Sequence, residues 1–246
     1  MKKSFLLLMV LMFLLPVSVS AQEKLSVAVA ANFISAFKEI AADFESKTGV
    51  KIEATFASTG NLYSQIQNGA PYDVFLSADE QRPDLLQKQG ATDGIFIYAR
   101  GQAILWSADK NFCKAASWQD ALTNEKIRKL SIANTATAPY GTAAMTALKK
   151  TGQWEALQGK LVIAQSVAQS FQYAATQSVD AGFCALSAAA GAEGKKGCYY
   201  AIPEAPEVVQ AGCILKSTKN KICAELFLSY MMSDPAAQIK KRYGYR

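Results

Sequence analysis

From Leu25 onward, short apolar runs alternate with segments whose apolar residues recur at helical spacing, and this alternation constrains the fold more than any other feature of the chain. Leu25 to Ala31 reads as a buried strand, and Phe33, Phe37, Ile40 and Phe44 then form one apolar stripe of a helix. Ile52–Phe56 reads as a strand, Leu62 and Ile66 mark a short helix, and Val74–Leu76 is a further strand. Asp79 is placed to cap a helix that runs through Gln89. Ile95–Tyr98 and Ala103–Trp106 read as strands. The second half repeats the theme, with strands at Leu130–Ala133, Leu161–Ala164, Val179–Ala185, Tyr199–Ile202 and Val208–Leu215. Helices are expected after Pro139-Tyr140-Gly141, over Val167–Thr176, and at the end over Lys219–Met232 and Pro235–Arg242.

Strands alternating with helices predict an α/β fold, with mostly parallel sheets flanked by helices. Two such runs predict two lobes. No low-complexity linker separates them, so the lobes are expected to be joined by strands that cross near residues 99–104 and 205–210. Residues 22–102 and 207–246 are assigned to lobe I and residues 103–206 to lobe II.

The N-terminus points to export. Lys2 and Lys3 precede an apolar run from Phe5 to Val17, and Val19-Ser20-Ala21 supplies the small residues that a signal peptidase reads. Residues 1–21 are therefore expected to be a cleaved signal peptide, which places the mature chain in the periplasm. The apolar run is shorter than the roughly 20 residues of a spanning helix, and no cysteine at the cleavage point suggests a lipid anchor. Without Lys2 and Lys3 the chain carries 24 basic against 20 acidic residues, a net charge of +4. No basic cluster interleaved with aromatics occurs, so nucleic acid is not an expected partner.

Five cysteines in an oxidising compartment suggest disulfides, and the odd number leaves at least one unpaired within the chain. The expected pairs are Cys184–Cys198 and Cys213–Cys223, with Cys113 free, although spacing does not fix connectivity. The chain has no histidine and no C-x-x-C, which argues against a zinc site.

Ligands of open α/β sheets bind beyond the carboxyl ends of the strands, beside helix N-termini. Four strand-to-helix turns here share one chemistry: Ala30-Ala31-Asn32, Ala57-Ser58-Thr59-Gly60, Ala138-Pro139-Tyr140-Gly141 and Gln165-Ser166-Val167. Each sets small, hydroxyl or amide residues where a helix begins and its backbone N–H groups lack partners. Such a set can hold an anion without lysine or arginine. Taken singly, Asn32, Ser58 and Thr59 are ordinary N-cap residues, and Tyr140 could simply pack; the recurrence is what suggests a site. Catalysis has little to work with, since there is no nucleophile elbow, no phosphate-binding glycine loop and no histidine base. No cofactor is expected.

At these turns the sequence resembles the periplasmic molybdate-binding proteins of ABC transporters. The resemblance is carried by VAVAANF (27–33), FASTGNLYSQIQNGAPYDVFLSAD (56–79), LSIANTATAPYGTAA (130–144), QSVAQ (165–169) with VDAGFCALS (179–187), and KRYGYR (241–246). It implies a two-lobed periplasmic-binding-protein fold closing on molybdate or tungstate, a monomer that delivers its ligand to an ABC transporter permease. The ligand-binding positions that it implies are Ala31, Asn32, Ser58, Thr59, Tyr140 and Val167, which would bind the oxyanion itself rather than a bare metal ion. Some members add a tyrosine at the end of the following strand; Ala185 stands in that place here. Sulfate or another smaller tetrahedral oxyanion is the alternative ligand that the turn chemistry alone allows.

Overall fold

The computed structural model describes residues 23–246. Strand β1 (Lys24–Ala30) pairs in parallel on one side with β2 (Lys51–Ala57) and on the other with β3 (Val74–Leu76). A strand with neighbours on both sides and helices over both faces has no solvated side, which is why β1 reads as an unbroken buried run from Val27 to Ala30. Helices α1 (Ile34–Thr48), α2 (Thr59–Gln67) and α3 (Gln81–Lys88) connect and follow these strands. Strand β4 (Thr92–Gly101) closes the edge, and the next strand, β5 (Ala103–Ser107), already belongs to a second sheet.

The second sheet repeats the plan. After α4 (Trp118–Thr123) come β6 (Leu130–Ala133), α5 (Pro139–Lys150), α6 (Trp154–Leu157) and β7 (Leu161–Ala164). Then follow α7 (Val167–Ala175), β8 (Ala181–Ala185), α8 (Leu186–Ala190) and β9 (Cys198–Ala201). The chain returns through residues 202–207 to β10 (Val208–Leu215), which inserts between β3 and β4. The sheet orders are β2-β1-β3-β10-β4 and β7-β6-β8-β5-β9. Pairing is parallel among β2, β1 and β3 and among β7, β6 and β8, as the alternating pattern predicts. It turns antiparallel at β10, β4, β5 and β9, the strands that carry the chain between lobes, so both sheets are mixed.

Helices α9 (Lys221–Met231) and α10 (Asp234–Arg242) cover the first sheet. Phe227 of α9 meets Phe37 and Phe44 of α1 edge-on, at 6.0 and 5.2 Å between ring centres. Edge-to-face pairs of this kind each add about 0.5–1.5 kcal/mol beyond the area that they bury. Between the lobes the packing changes character. Ala30, Ala78, Ala103, Ala133, Ala138 and Ala185 form a core cluster with Tyr140 and Val167. Side chains this small let the strand ends of the two lobes approach closely.

The expected cysteine pairing is corrected. The disulfide joins Cys113 to Cys198, and Cys184, Cys213 and Cys223 are free. Cys198 opens the edge strand β9 beside the turn that carries Cys113, whereas Cys184 is sealed in the lobe core with Trp106 and Ala174. Cys213 packs with Leu62, Phe75 and Leu86, while Cys223 packs into the separate cluster that holds Phe37 and Phe227, so the two thiols serve different cores. The export signal assigned to residues 1–21 lies outside the described residues.

Candidate functional site

The turn after β1 passes through a short 3-10 segment, Ala31–Phe33, with no side-chain cap at its start. Phe33 anchors it, its ring meeting Tyr98 and Tyr245 edge-on at 5.0 and 5.1 Å. The turn after β2 places Ser58 at the N-cap of α2, yet the Ser58 side chain caps nothing. Helix α5 begins with Pro139, whose nitrogen carries no hydrogen, so the N–H of Tyr140 is the first donor of that helix. Helix α7 is capped by Ser166, whose hydroxyl accepts from the N–H of Gln169. Two buried hydroxyls fix α7 to its sheet: Ser131 donates to the Ser170 carbonyl at 2.8 Å, and Ser170 donates to the Phe183 carbonyl at 2.8 Å.

These four helix starts converge on one small cavity. Ala31, Asn32, Ser58, Thr59, Tyr140 and Val167 all line it, together with Ala30, Ala78, Ala138 and Pro139. Its volume, about 10 Å³, leaves no room for a hydrated ion. None of the lining residues carries a charge. Ala185 lies outside this cavity and lines a larger one of about 490 Å³ beside it, which shares Ala31, Asn32 and Val167.

The hydroxyls at the cavity are disposed to donate. Thr59 Oγ1 accepts from the Ala78 N–H at 2.9 Å, which fixes the side chain and leaves its own proton to give. Ser58 Oγ is buried and has no hydrogen-bond partner, the one such side-chain atom among the described residues. A buried hydroxyl left unsatisfied costs about 1–3 kcal/mol, so a structure that keeps one requires a reason. Asn32 is differently engaged. Its amide nitrogen donates to Gln210 Oε1 at 2.7 Å and to Tyr245 Oη at 3.1 Å, so the donor that Asn32 leaves for the cavity is its backbone N–H.

Behind the cavity lies a buried polar network that the turn chemistry did not reveal. Gln210 on β10 also donates to the Tyr140 hydroxyl at 3.3 Å, and the Tyr98 hydroxyl lies 3.1 Å from Gln210 Oε1. Tyr245 donates to the Asn32 carbonyl at 2.7 Å, and Ser187 of the other lobe donates to the same carbonyl at 2.8 Å. Burial pushes the phenols of Tyr98 and Tyr140 well above their usual range and that of Tyr245 to about 12. All three are therefore neutral donors at physiological pH. A fully buried Gln inside the run VVQAGCIL is the one sequence signal of this network, since a polar residue in a buried strand needs partners.

Besides the Ser187–Asn32 and Gln210–Tyr140 bonds, two further contacts join the lobes. The Gly60 N–H donates to the Thr137 carbonyl at 2.8 Å, and Arg82, paired with Asp79, donates to the Ala136 carbonyl at 3.0 Å. Both grip the turn that precedes α5.

Residues 25–246 match the model of the bacterial extracellular solute-binding proteins. The chain belongs to this family. It is 40% identical over 228 residues to the molybdate-binding protein ModA of Azotobacter vinelandii, covering 90% of this chain and 89% of that protein. It is 37% identical to the ModA of Rhodobacter capsulatus, covering 89% and 86% of the two chains. The solved periplasmic molybdate-binding protein of A. vinelandii superposes with a TM-score of 0.86 at 36% identity, over 90% of this chain and 98% of that one. The two-lobed fold is thus that of the periplasmic binding proteins. The Mycobacterium tuberculosis sulfate-binding protein SubI, at 13% identity and a TM-score of 0.77, shares the fold alone. Among the described residues no group of acidic or cysteine side chains is arranged to hold a metal ion, and no helix is long and apolar enough to cross a membrane.

Proposed function

We propose that this solute-binding protein captures molybdate, and tungstate with it, in the cavity between its lobes. The observation that carries this reading is the unpartnered Ser58 hydroxyl, buried in an uncharged cavity at the convergence of four helix starts. A tetrahedral dianion there would accept from the Ser58 and Thr59 hydroxyls and from the backbone N–H groups of Asn32, Tyr140 and Val167. The positive ends of the helix dipoles would balance its charge. The 40% and 36% identities to proteins named for molybdate support the choice of ion.

Binding on this account is a closure. An ion caught on lobe I by the turns at 31–32 and 58–59 draws in the turns at 140 and 167 of lobe II, and the Gly60–Thr137 and Arg82–Ala136 contacts form as water leaves. Residues 22–102 and 207–246 form lobe I and residues 103–206 lobe II, and the neighbouring crossings at 101–103 and 202–207 act as the hinge. The protein works as a periplasmic monomer after loss of residues 1–21 and hands its ligand to the permease of an ABC importer.

Isothermal titration of the mature protein with molybdate, tungstate and sulfate tests this. Saturable one-to-one binding of the first two, with sulfate at least tenfold weaker, is expected; equal or tighter sulfate binding, or none by molybdate, would refute it.

A further inference from the structure

Gly101 on β4 and Gln210 on β10 lie on neighbouring strands of lobe I where the chain crosses between lobes, two residues apart in the ladder, since Gly101 pairs with Val208 and Ala99 with Gln210. A β-carbon built on Gly101 would sit 2.0 Å from the Tyr140 hydroxyl oxygen, 2.8 Å from Gln210 Nε2 and 3.2 Å from Tyr140 Cζ. The phenol of Tyr140, on lobe II, thus rests in the space that a side chain at Gly101, on lobe I, would fill. Gln210 Nε2 donates to it there. The other end of the same amide, Gln210 Oε1, accepts from Asn32 on lobe I. One buried side chain therefore touches a cavity-lining residue from each lobe.

We infer that Gly101 and Gln210 form a receptacle for the Tyr140 hydroxyl, and that Gln210 is a positioning residue coupling Asn32 to Tyr140 so that the ligand contacts of the two lobes form together. The inference rests on the oxyanion-binding reading. An isolated Tyr140 hydroxyl in this apolar cluster would lose its solvation on closure. The Gln210 amide replaces the lost water only when the lobes meet in one register, because the receptacle lies across the lobe boundary. A misregistered closure leaves the Gln210 Nε2 donor without the Tyr140 oxygen, while Gln210 Oε1 keeps its lobe I partners, at a cost comparable to a whole binding contact. The device therefore makes closure selective for a ligand that lets Tyr140 seat fully.

The test is a set of variants titrated with molybdate: Gly101→Ala, Gln210→Leu, Tyr140→Phe, and the last combined with each of the first two. Gly101→Ala and Gln210→Leu should each weaken binding by about tenfold or more, the value of a lost buried hydrogen bond. Tyr140→Phe removes the closest obstacle to the new methyl and leaves the movable end of Gln210 at 2.8 Å and the ring carbon at 3.2 Å, so Gly101→Ala/Tyr140→Phe should bind within about threefold of Tyr140→Phe alone. Gln210→Leu/Tyr140→Phe should be no weaker than the weaker single variant. Losses that multiply in both double variants would overturn the receptacle, because a role for Gly101 or Gln210 that does not run through the Tyr140 hydroxyl gives no rescue when that hydroxyl is removed. Should Gly101→Ala fail to fold, the Gln210 pair carries the decision. If the unaltered protein does not bind molybdate, the functional reading fails separately. Small-angle scattering of the ligand-free set then decides the receptacle: it predicts an expanded Gly101→Ala that returns to wild-type dimensions with Tyr140→Phe, and identical dimensions throughout would overturn it.

Discussion

The backbone N–H of Gly60, at the start of α2 in one lobe, donates to the carbonyl of Thr137 in the other, and a β-carbon at position 60 would lie 2.9 Å from the Thr137 Cα. Backbone meets backbone here, so neither side can rotate away. Gly60→Ala should hold the lobes apart and weaken molybdate binding by at least about tenfold, a loss of one half-buried hydrogen bond with added repulsion. The melting temperature of the ligand-free protein should change by far less than that of the molybdate complex, as thermal scans with and without molybdate would show.

Ser58 predicts a conflict between stability and function. Its unpartnered hydroxyl costs the closed arrangement about 1–3 kcal/mol when no ion is bound. Ser58→Ala removes that cost, so the ligand-free variant should melt no lower than the unaltered protein. The same change should weaken molybdate binding by about ten- to a hundredfold, the value of a hydrogen bond to a charged group. Scanning calorimetry and titration on one preparation test both halves, and a destabilised variant with unchanged affinity would contradict the assignment.

Binding should be insensitive to pH between about 7 and 9, because every side chain at the cavity is neutral and the chain has no histidine. Alkali is different. Burial raises the Tyr245 phenol to about 12 in the folded state, while an unfolded tyrosine ionises near about 10. Between these values the folded chain holds a proton that the unfolded chain has released. Its contribution to stability is complete below about pH 10 and is lost as pH climbs through about 12. Melting curves from pH 8 to 11.5 should fall only at the alkaline end, and Tyr245→Phe should flatten that fall.

The Cys113–Cys198 bridge spans 85 residues within the second sheet's lobe, well away from the cavity. By loop-closure entropy its removal should cost about 4.6 kcal/mol. Cys113→Ala/Cys198→Ala should therefore melt earlier and yet bind molybdate with unchanged affinity. Burial raises the remaining thiols, Cys213 to about 12 and Cys223 to about 11, with Cys184 higher still. A thiol reagent should find these three only after unfolding.

What the sequence disclosed follows from where each signal resides. Strand β10 was legible to the residue, Val208–Leu215, because its apolar run is bounded by a proline-rich approach and a lysine. Strand β4 was read as Ile95–Tyr98 but extends over Thr92–Gly101, since its ends are held by the ladder to β10 rather than by their own propensity. Helix α4 leaves no periodic signal in the sequence, because Ser117 caps only six residues. That the four turns supply residues to one cavity was legible because the chemistry of a helix start is local, whereas the choice of Ala31, Asn32, Ser58, Thr59, Tyr140 and Val167 within them rests on the resemblance. Gln210 and Tyr245 were not, because their partner Asn32 lies 178 and 213 positions away and only the crossing strands bring them together. The cysteine pairing failed for the same reason: it depends on which core each thiol enters.

The most direct measurement is anomalous diffraction at the molybdenum absorption edge from crystals grown with molybdate. The account predicts one peak in the cavity between the lobes, with oxygens within hydrogen-bond distance of Ser58 Oγ and of the backbone nitrogens of Tyr140 and Val167. A peak elsewhere on the protein, or a cavity whose Ser58 hydroxyl remains unpartnered beside the bound ion, would contradict it.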